Sequence, residues 1–160
     1  MEIERKYLID ATKLPFSPED YPVHHIEQGY LCTEPVVRIR KDNEDYFLTY
    51  KSKGLMSREE YNLPLTKEAY GHLKSKVDGH IISKKRYVIP LALFIMQSTY
   101  SDLKIELDIF SEDLQGLLLA EVEFPDEKSA LSFVPPAWFG KDVTFSSEYH
   151  NSNLSQHTVL

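Results

Sequence analysis

Like charges recur at i, i+2 along this chain, and they are sorted by segment. Acid pairs are Glu2/Glu4, Glu106/Asp108 and Glu121/Glu123; basic pairs are Arg38/Arg40, Lys51/Lys53 and Lys84/Arg86, with Lys6, Arg58 and Lys104 on matching parities. On a strand, a spacing of two puts each pair on one face, roughly 7 Å apart. Two readings compete. In the first, these are the wet outer faces of half-solvated antiparallel strands. In the second, the faces enclose something that carries both charges: a polyanion held by the basic strands and divalent cations held by the acidic ones. Like charges this close repel, and solvated faces usually intersperse signs, so the segregation favours the second reading.

The acid clusters have no His or Cys partners. Such donors suit hard cations, Mg²⁺ or Mn²⁺, better than zinc. None of the histidines (His24, His25, His72, His80, His150 and His157) has ligand spacing. No glycine-rich phosphate loop or nucleophile elbow is present, so a phosphate would have to be held by side chains.

The charges need strands to carry them. Glu2 to Ile9 alternates, with Glu2, Glu4, Lys6 and Leu8 on one face and Ile3, Arg5, Tyr7 and Ile9 on the other. Asp10 to Tyr21, with Pro15 and Pro18, reads as a loop with one helical turn. His25 to Cys32 is a second strand, with Gly29 a candidate bulge. Val36 to Arg40 and Tyr46 to Lys53 form a hairpin around the Lys41–Asp45 turn. Ser57 to Leu65 sets Arg58, Glu60 and Asn62 on one face. Thr66 caps a helix that Gly79 stops. Ile81 to Ile89, Leu103 to Phe110 and Leu117 to Phe124 are further strands. Pro90 to Asp102 reads as a strand end, a hairpin turn around Gln97 to Thr99 and the start of the next strand. Asp126 caps a short helix to about Phe133, which Pro135-Pro136 ends. Ala137 to Leu160 reads as irregular and frayed at its end.

The 160 residues suggest a single domain, 1–160, and 42% apolar content is enough for a core. A net charge of −7 argues against a nucleic-acid partner. The lone Cys32 cannot form an internal disulfide and is expected to be a buried structural thiol. The acidic start lacks the basic-then-apolar order of a secretory signal. The longest apolar run, Leu91 to Met96, is too short for a membrane span. A cytoplasmic protein without a membrane partner is expected, and a homodimer is compatible with the sequence.

Taken in order, the segments resemble one known family. Glu2-Ile3-Glu4-Arg5-Lys6 is similar to the N-terminal ExExK signature of the CYTH domain, the triphosphate tunnel metalloenzymes. The resemblance continues through Gln28-Gly29-Tyr30, Arg38-Ile39-Arg40, Thr49-Tyr50-Lys51-Ser52, Ser57 to Tyr61, Lys84 to Tyr87, Glu106-Leu107-Asp108, Glu121 to Phe124, Pro135 to Gly140 and Tyr149 to Leu154. ExExK alone is weak; the ordered set is specific.

The resemblance implies a mainly β, α+β fold: an eight-stranded antiparallel β-barrel forming a charged tunnel, with a few flanking helices. It implies a small-molecule triphosphate substrate and Mg²⁺ or Mn²⁺, two per site. Glu2, Glu4, Glu121 and Glu123 would bind metal. Lys6, Arg38, Arg40, Lys51, Arg58, Lys84 and Arg86 would hold phosphates. Glu106 and Asp108 would be ligands, or orient ligands, and one of them could take a proton from water. Tyr30 would orient Lys6. Lys53 fits the wall by parity alone. The implied reaction is hydrolysis of inorganic tripolyphosphate to pyrophosphate and phosphate. The alternatives are a class IV-type adenylate cyclase and a non-catalytic polyphosphate- or nucleotide-binding module. The tail departs from short relatives at Phe145 and Glu148, where other charges are expected.

Overall fold

Strands with one charged and one apolar face can hide the charged face only by closing the sheet around it. The computed structural model of this chain describes residues 1–156; His157 and the end of the expected frayed tail lie outside the described residues. The strands are β1 (Glu2–Ile9), β2 (Val23–Thr33), β3 (Val36–Asp42), β4 (Asp45–Lys51), β5 (Ser57–Arg58), β6 (Glu60–Pro64), β7 (Asp78–Pro90), β8 (Lys104–Phe110), β9 (Leu118–Glu123) and β10 (Phe139–Asp142). The helices are α1 (Lys67–Lys74), α2 (Glu127–Leu131) and α3 (Asn151–Leu154).

Hydrogen bonding runs β1-β9-β8-β7-β2-β3-β4-β6, and β5 returns to β1 through Glu2↔Arg58 and Ile3↔Ser57. Every pairing is antiparallel. The strand expected over Ser57 to Leu65 is split at Glu59, whose N–H and C=O both bond Ser52. With β5 and β6 counted as one interrupted strand, the ring has the expected eight positions. β10 lies beside β1 at Tyr7 and Ile9, in a stretch expected to be irregular.

The apolar parities face outward and are covered. Ile3, Tyr7, Ile89, Ile105, Leu107 and Val122 pack beneath Phe133, Trp138 and Phe139. Each such side chain contributes roughly 1.5–3 kcal/mol on burial. The segment from Pro90 to Asp102 contributes to this cover. Instead of a hairpin it forms two 3₁₀ turns, Leu91–Leu93 and Ser98–Tyr100, which bury Leu91 and Tyr100. Arg5 also points outward. Its guanidinium donates to Ala130 O at 2.6 Å and to Asp142 Oδ2 at 2.6 Å, tying α2 and β10 to β1.

Inside the ring the character changes with depth. Along β8 the inward positions run Glu106, Asp108, Phe110; along β9 they run Glu123, Glu121, Leu119; along β7 they run Arg86, Lys84, Ile82. Phe110, Leu119 and Ile82 join Tyr30, Leu114, Val143 and Leu154 in a second buried apolar cluster. One part of the barrel is therefore filled, and the charged part stays hollow.

The tail is ordered by that filling. Leu154 is fully buried, and Ser155 O accepts the His80 N–H at 2.9 Å. Gly79 makes this approach possible. It sits at φ +64°, and a Cβ there would lie 2.3 Å from Ser155 O. It is thus a β7 residue and not the stop of α1, which ends at Lys74 with Ser75 as its cap. The bulge expected at Gly29 is present, since the β2 register shifts between Gln28 and Tyr30 and again between Tyr30 and Cys32. Thr66 and Asp126 cap their helices as expected, accepting from Ala69 N–H and Ser129 N–H. Cys32 is half-buried and not buried, because the chain leaves the barrel at Thr33.

Candidate active site

The hollow part is a cavity of about 300 Å³. β1 supplies Glu2, Glu4 and Lys6; β3 supplies Arg38 and Arg40; β4 supplies Lys51; β5 supplies Arg58; β7 supplies Arg86; β8 supplies Glu106; β9 supplies Glu121 and Glu123. Tyr30 also lines it. Alternation alone puts these side chains on the inner face, and ring closure brings the acid and basic arcs together.

Two expected site residues are not in the cavity wall. Asp108 and Lys84 lie one layer deeper with no side-chain exposure, 2.7 Å apart. Asp108 accepts Arg86 Nε at 2.8 Å and Nη2 at 2.9 Å. The apolar filling beside them, Phe110 and Leu119, closes off their layer. They therefore reach the cavity only through Arg86. Lys53 is excluded: it points into solvent beside Glu34, because β4 ends at Lys51. Lys104 is exposed and lies outside the cavity. Among the described residues Tyr30 makes no hydrogen bond to Lys6. Lys6 Nζ donates instead to Tyr149 O at 3.2 Å, a tail contact.

Several wall residues were not singled out from sequence. Glu60 lies 3.3 Å from Lys51 Nζ, whose other partner is Glu2 Oε1 at 3.0 Å. Lys51 holds the Glu60 carboxyl down at about 2, against burial, which would raise it. The parity of Arg58-Glu60-Asn62 carried the signal for Glu60. Arg38 Nη2 donates to Thr49 Oγ1 at 3.2 Å, which donates to Asn62 Oδ1 at 2.5 Å. His150, Asn151 and Ser152 come from the tail, and only the resemblance around Tyr149 to Leu154 pointed to them. His150 is 9% exposed, and burial beside Lys6 and Arg58 pushes its imidazole down to about 4.

The acid arc is strained by its own charge. Burial, then Glu121 and Glu2, raise the Glu4 carboxyl well above the usual range. Against burial, Lys6 and Arg86 hold Glu121 well below it. Glu123 is also raised, by burial and by Glu2 and Glu106. Among the described residues Glu121 Oε1 is buried without a hydrogen-bond partner. These all-oxygen donors, with the Glu4 and Glu123 carboxyls raised by their acidic neighbours, fit a hard divalent cation. The fit is in donor type and charge and not in preset geometry. Among the described residues no three His, Cys, Asp or Glu side chains converge as a ready ligand set, and Glu2 is turned onto Lys51.

Comparison with known proteins follows the same lines. The CYTH domain matches residues 1–130. An inorganic triphosphatase of Nitrosomonas europaea is 36% identical over 157 residues, covering 96% of each chain. An inorganic triphosphatase of Acetivibrio thermocellus is 34% identical, covering 96% of this chain and 92% of its own. The crystal structure of the inorganic triphosphatase NE1496 superposes with a TM-score of 0.69 at 32% identity, covering 98% of this chain and 95% of that one. Among the described residues no helix is long and apolar enough to cross a membrane.

Proposed function

This chain belongs to the CYTH domain family, and from that footing we propose that it hydrolyses a linear triphosphate, inorganic tripolyphosphate foremost, to pyrophosphate and phosphate. One observation carries the reading. One cavity joins a crowded carboxylate arc, Glu4 and Glu121, to an arginine arc, Arg38 and Arg40, that among the described residues has no carboxylate hydrogen-bonded to it. A metal–triphosphate complex has that division of charge. The names of the full-length relatives support the same substrate class.

Glu2, Glu4, Glu121 and Glu123 would hold Mg²⁺ or Mn²⁺. When bound, the cation supplies Lewis acidity toward phosphoryl oxygen and water. Arg38, Arg40, Lys51 and Arg58 hold the phosphates and neutralise charge that grows on the transferred group and the leaving pyrophosphate. Lys6 joins the two arcs, fixed by Tyr149 O. Asp108 and Lys84 act from behind, through Arg86. Asp108 is committed to that pair, so Glu106 is the better proton acceptor for the attacking water. Its Oε2 takes Arg86 Nη1 at 3.1 Å, and among the described residues its Oε1 is engaged by no hydrogen bond.

A phosphate-release panel tests the proposal: tripolyphosphate, ATP, GTP and thiamine triphosphate, each with Mg²⁺ and Mn²⁺. Tripolyphosphate should turn over fastest. Cyclic AMP formed from ATP faster than phosphate is released would reassign the site to a cyclase. Binding without turnover of any of the four would make it a binding module.

A further inference from the structure

Two of the four arginines that line the cavity, Arg40 and Arg86, are gripped by the same edge, Nε and Nη2, but by opposite kinds of partner. Arg86 is held by a carboxylate, Asp108, with Glu106 3.1 Å and Glu121 3.7 Å away. Arg40 is held by an amide. Gln28 Oε1 accepts Nε at 2.8 Å and Nη2 at 2.5 Å. Gln28 is fully buried, pairs with Arg40 across the β2–β3 ladder and does not itself line the cavity. Among the described residues its Nε2 is buried without a hydrogen-bond partner. An unmet buried donor is costly. The side chain fits the site through its oxygen alone, and that oxygen faces Arg40.

We infer that Gln28 is a positioning residue for the phosphate site: it fixes the Arg40 guanidinium along the edge by which Asp108 holds Arg86, while leaving its positive charge available to the substrate. Arg86, by contrast, is neutralised in place by the acids around it and serves as the wall between the two arcs. The environment of Arg40 agrees with this division. Burial, then Arg38 and Arg86, push its guanidinium down to about 9, which still leaves it charged at neutral pH. A glutamate at position 28 would keep the geometry and remove the free charge, making Arg40 a copy of the Arg86 pair.

The inference rests on the triphosphatase reading for its ligand, and the test separates the two. Tripolyphosphate is titrated calorimetrically into chelator-treated wild type, Gln28→Glu, Gln28→Met, Arg40→Ala and Gln28→Met/Arg40→Ala, with thermal midpoints recorded. KM and kcat are then measured with Mg²⁺. Gln28→Glu should weaken binding and raise KM roughly ten- to hundredfold, the range for a hydrogen bond to a charged group, with little change in the thermal midpoint. Gln28→Met should weaken binding less, because it frees Arg40 without neutralising it. The double variant should bind no more weakly than Arg40→Ala alone. Wild-type affinity in Gln28→Glu, equal weakening by Glu and Met, or additive losses in the double variant would overturn the inference. Wild type that binds but does not turn over tripolyphosphate would sink the triphosphatase reading and leave the Gln28 result standing. Wild type that neither binds tripolyphosphate nor turns it over with Mg²⁺ would overturn both.

Discussion

Asp108 grips Arg86 along one edge, Nε to Oδ1 at 2.8 Å and Nη2 to Oδ2 at 2.9 Å, from a position behind the cavity wall. Lys84 Nζ meets the same carboxylate at 2.7 Å, and burial pushes that amine down to about 7 even beside its partner. One anion thus underwrites two buried cations. Asp108→Ala would strand Lys84 and leave Arg86 to Glu106 and Glu121, and breaking a buried pair in this way costs about 3–5 kcal/mol. The urea midpoint of unfolding reads this directly. A loss under about 1 kcal/mol would mean that the carboxylate is not what holds the layer together.

The charge pairs, their parity and the strands that carry them were legible because a period of two is a local property. Depth inside a barrel is not local. Lys84 and Asp108 share their parity with Arg86 and Glu106, yet sit one layer further in. The available warning was the next inward residue on each strand, Ile82 and Phe110, both apolar. The tail was illegible for a related reason. β10 and α3 exist because Val143 and Leu154 fill the barrel and Gly79 admits the Ser155 carbonyl, all contacts at long sequence separation.

Gly79 therefore controls residues far from it in sequence. In Gly79→Ala, the Cβ meets Ser155 O at a backbone angle that alanine tolerates poorly. The fold should lose more than about 1 kcal/mol. The loss should concentrate in the tail, which supplies His150, Asn151 and the carbonyl that fixes Lys6. Amide exchange at residues 149–155 should accelerate ahead of β7 and β8, and KM for tripolyphosphate should rise. Uniform acceleration across the barrel would show that the tail is not a separable element.

His150 gives the acid limb of stability a sign. Its pKa falls on folding, from the ordinary value of 6.5 to about 4. The unfolded chain therefore takes up the proton first, and the contribution opposes folding. It is absent above about pH 6.5 and grows as pH falls toward 4. His150→Asn removes it. Urea midpoints at pH 7.5 and pH 4.5 should show a smaller acid loss in the variant than in wild type. Equal losses would place the titrating group elsewhere.

Phosphate release from tripolyphosphate, with Mg²⁺ or Mn²⁺, by wild type, Glu4→Gln and Arg40→Ala is the most direct test of the central claim. Wild type should require the cation, and a chelator should abolish release. Each substitution should lower the rate on the order of 10²-fold, the scale for removing one electrostatic group from a transition-state site. Two variants that hydrolyse tripolyphosphate like wild type would contradict the account.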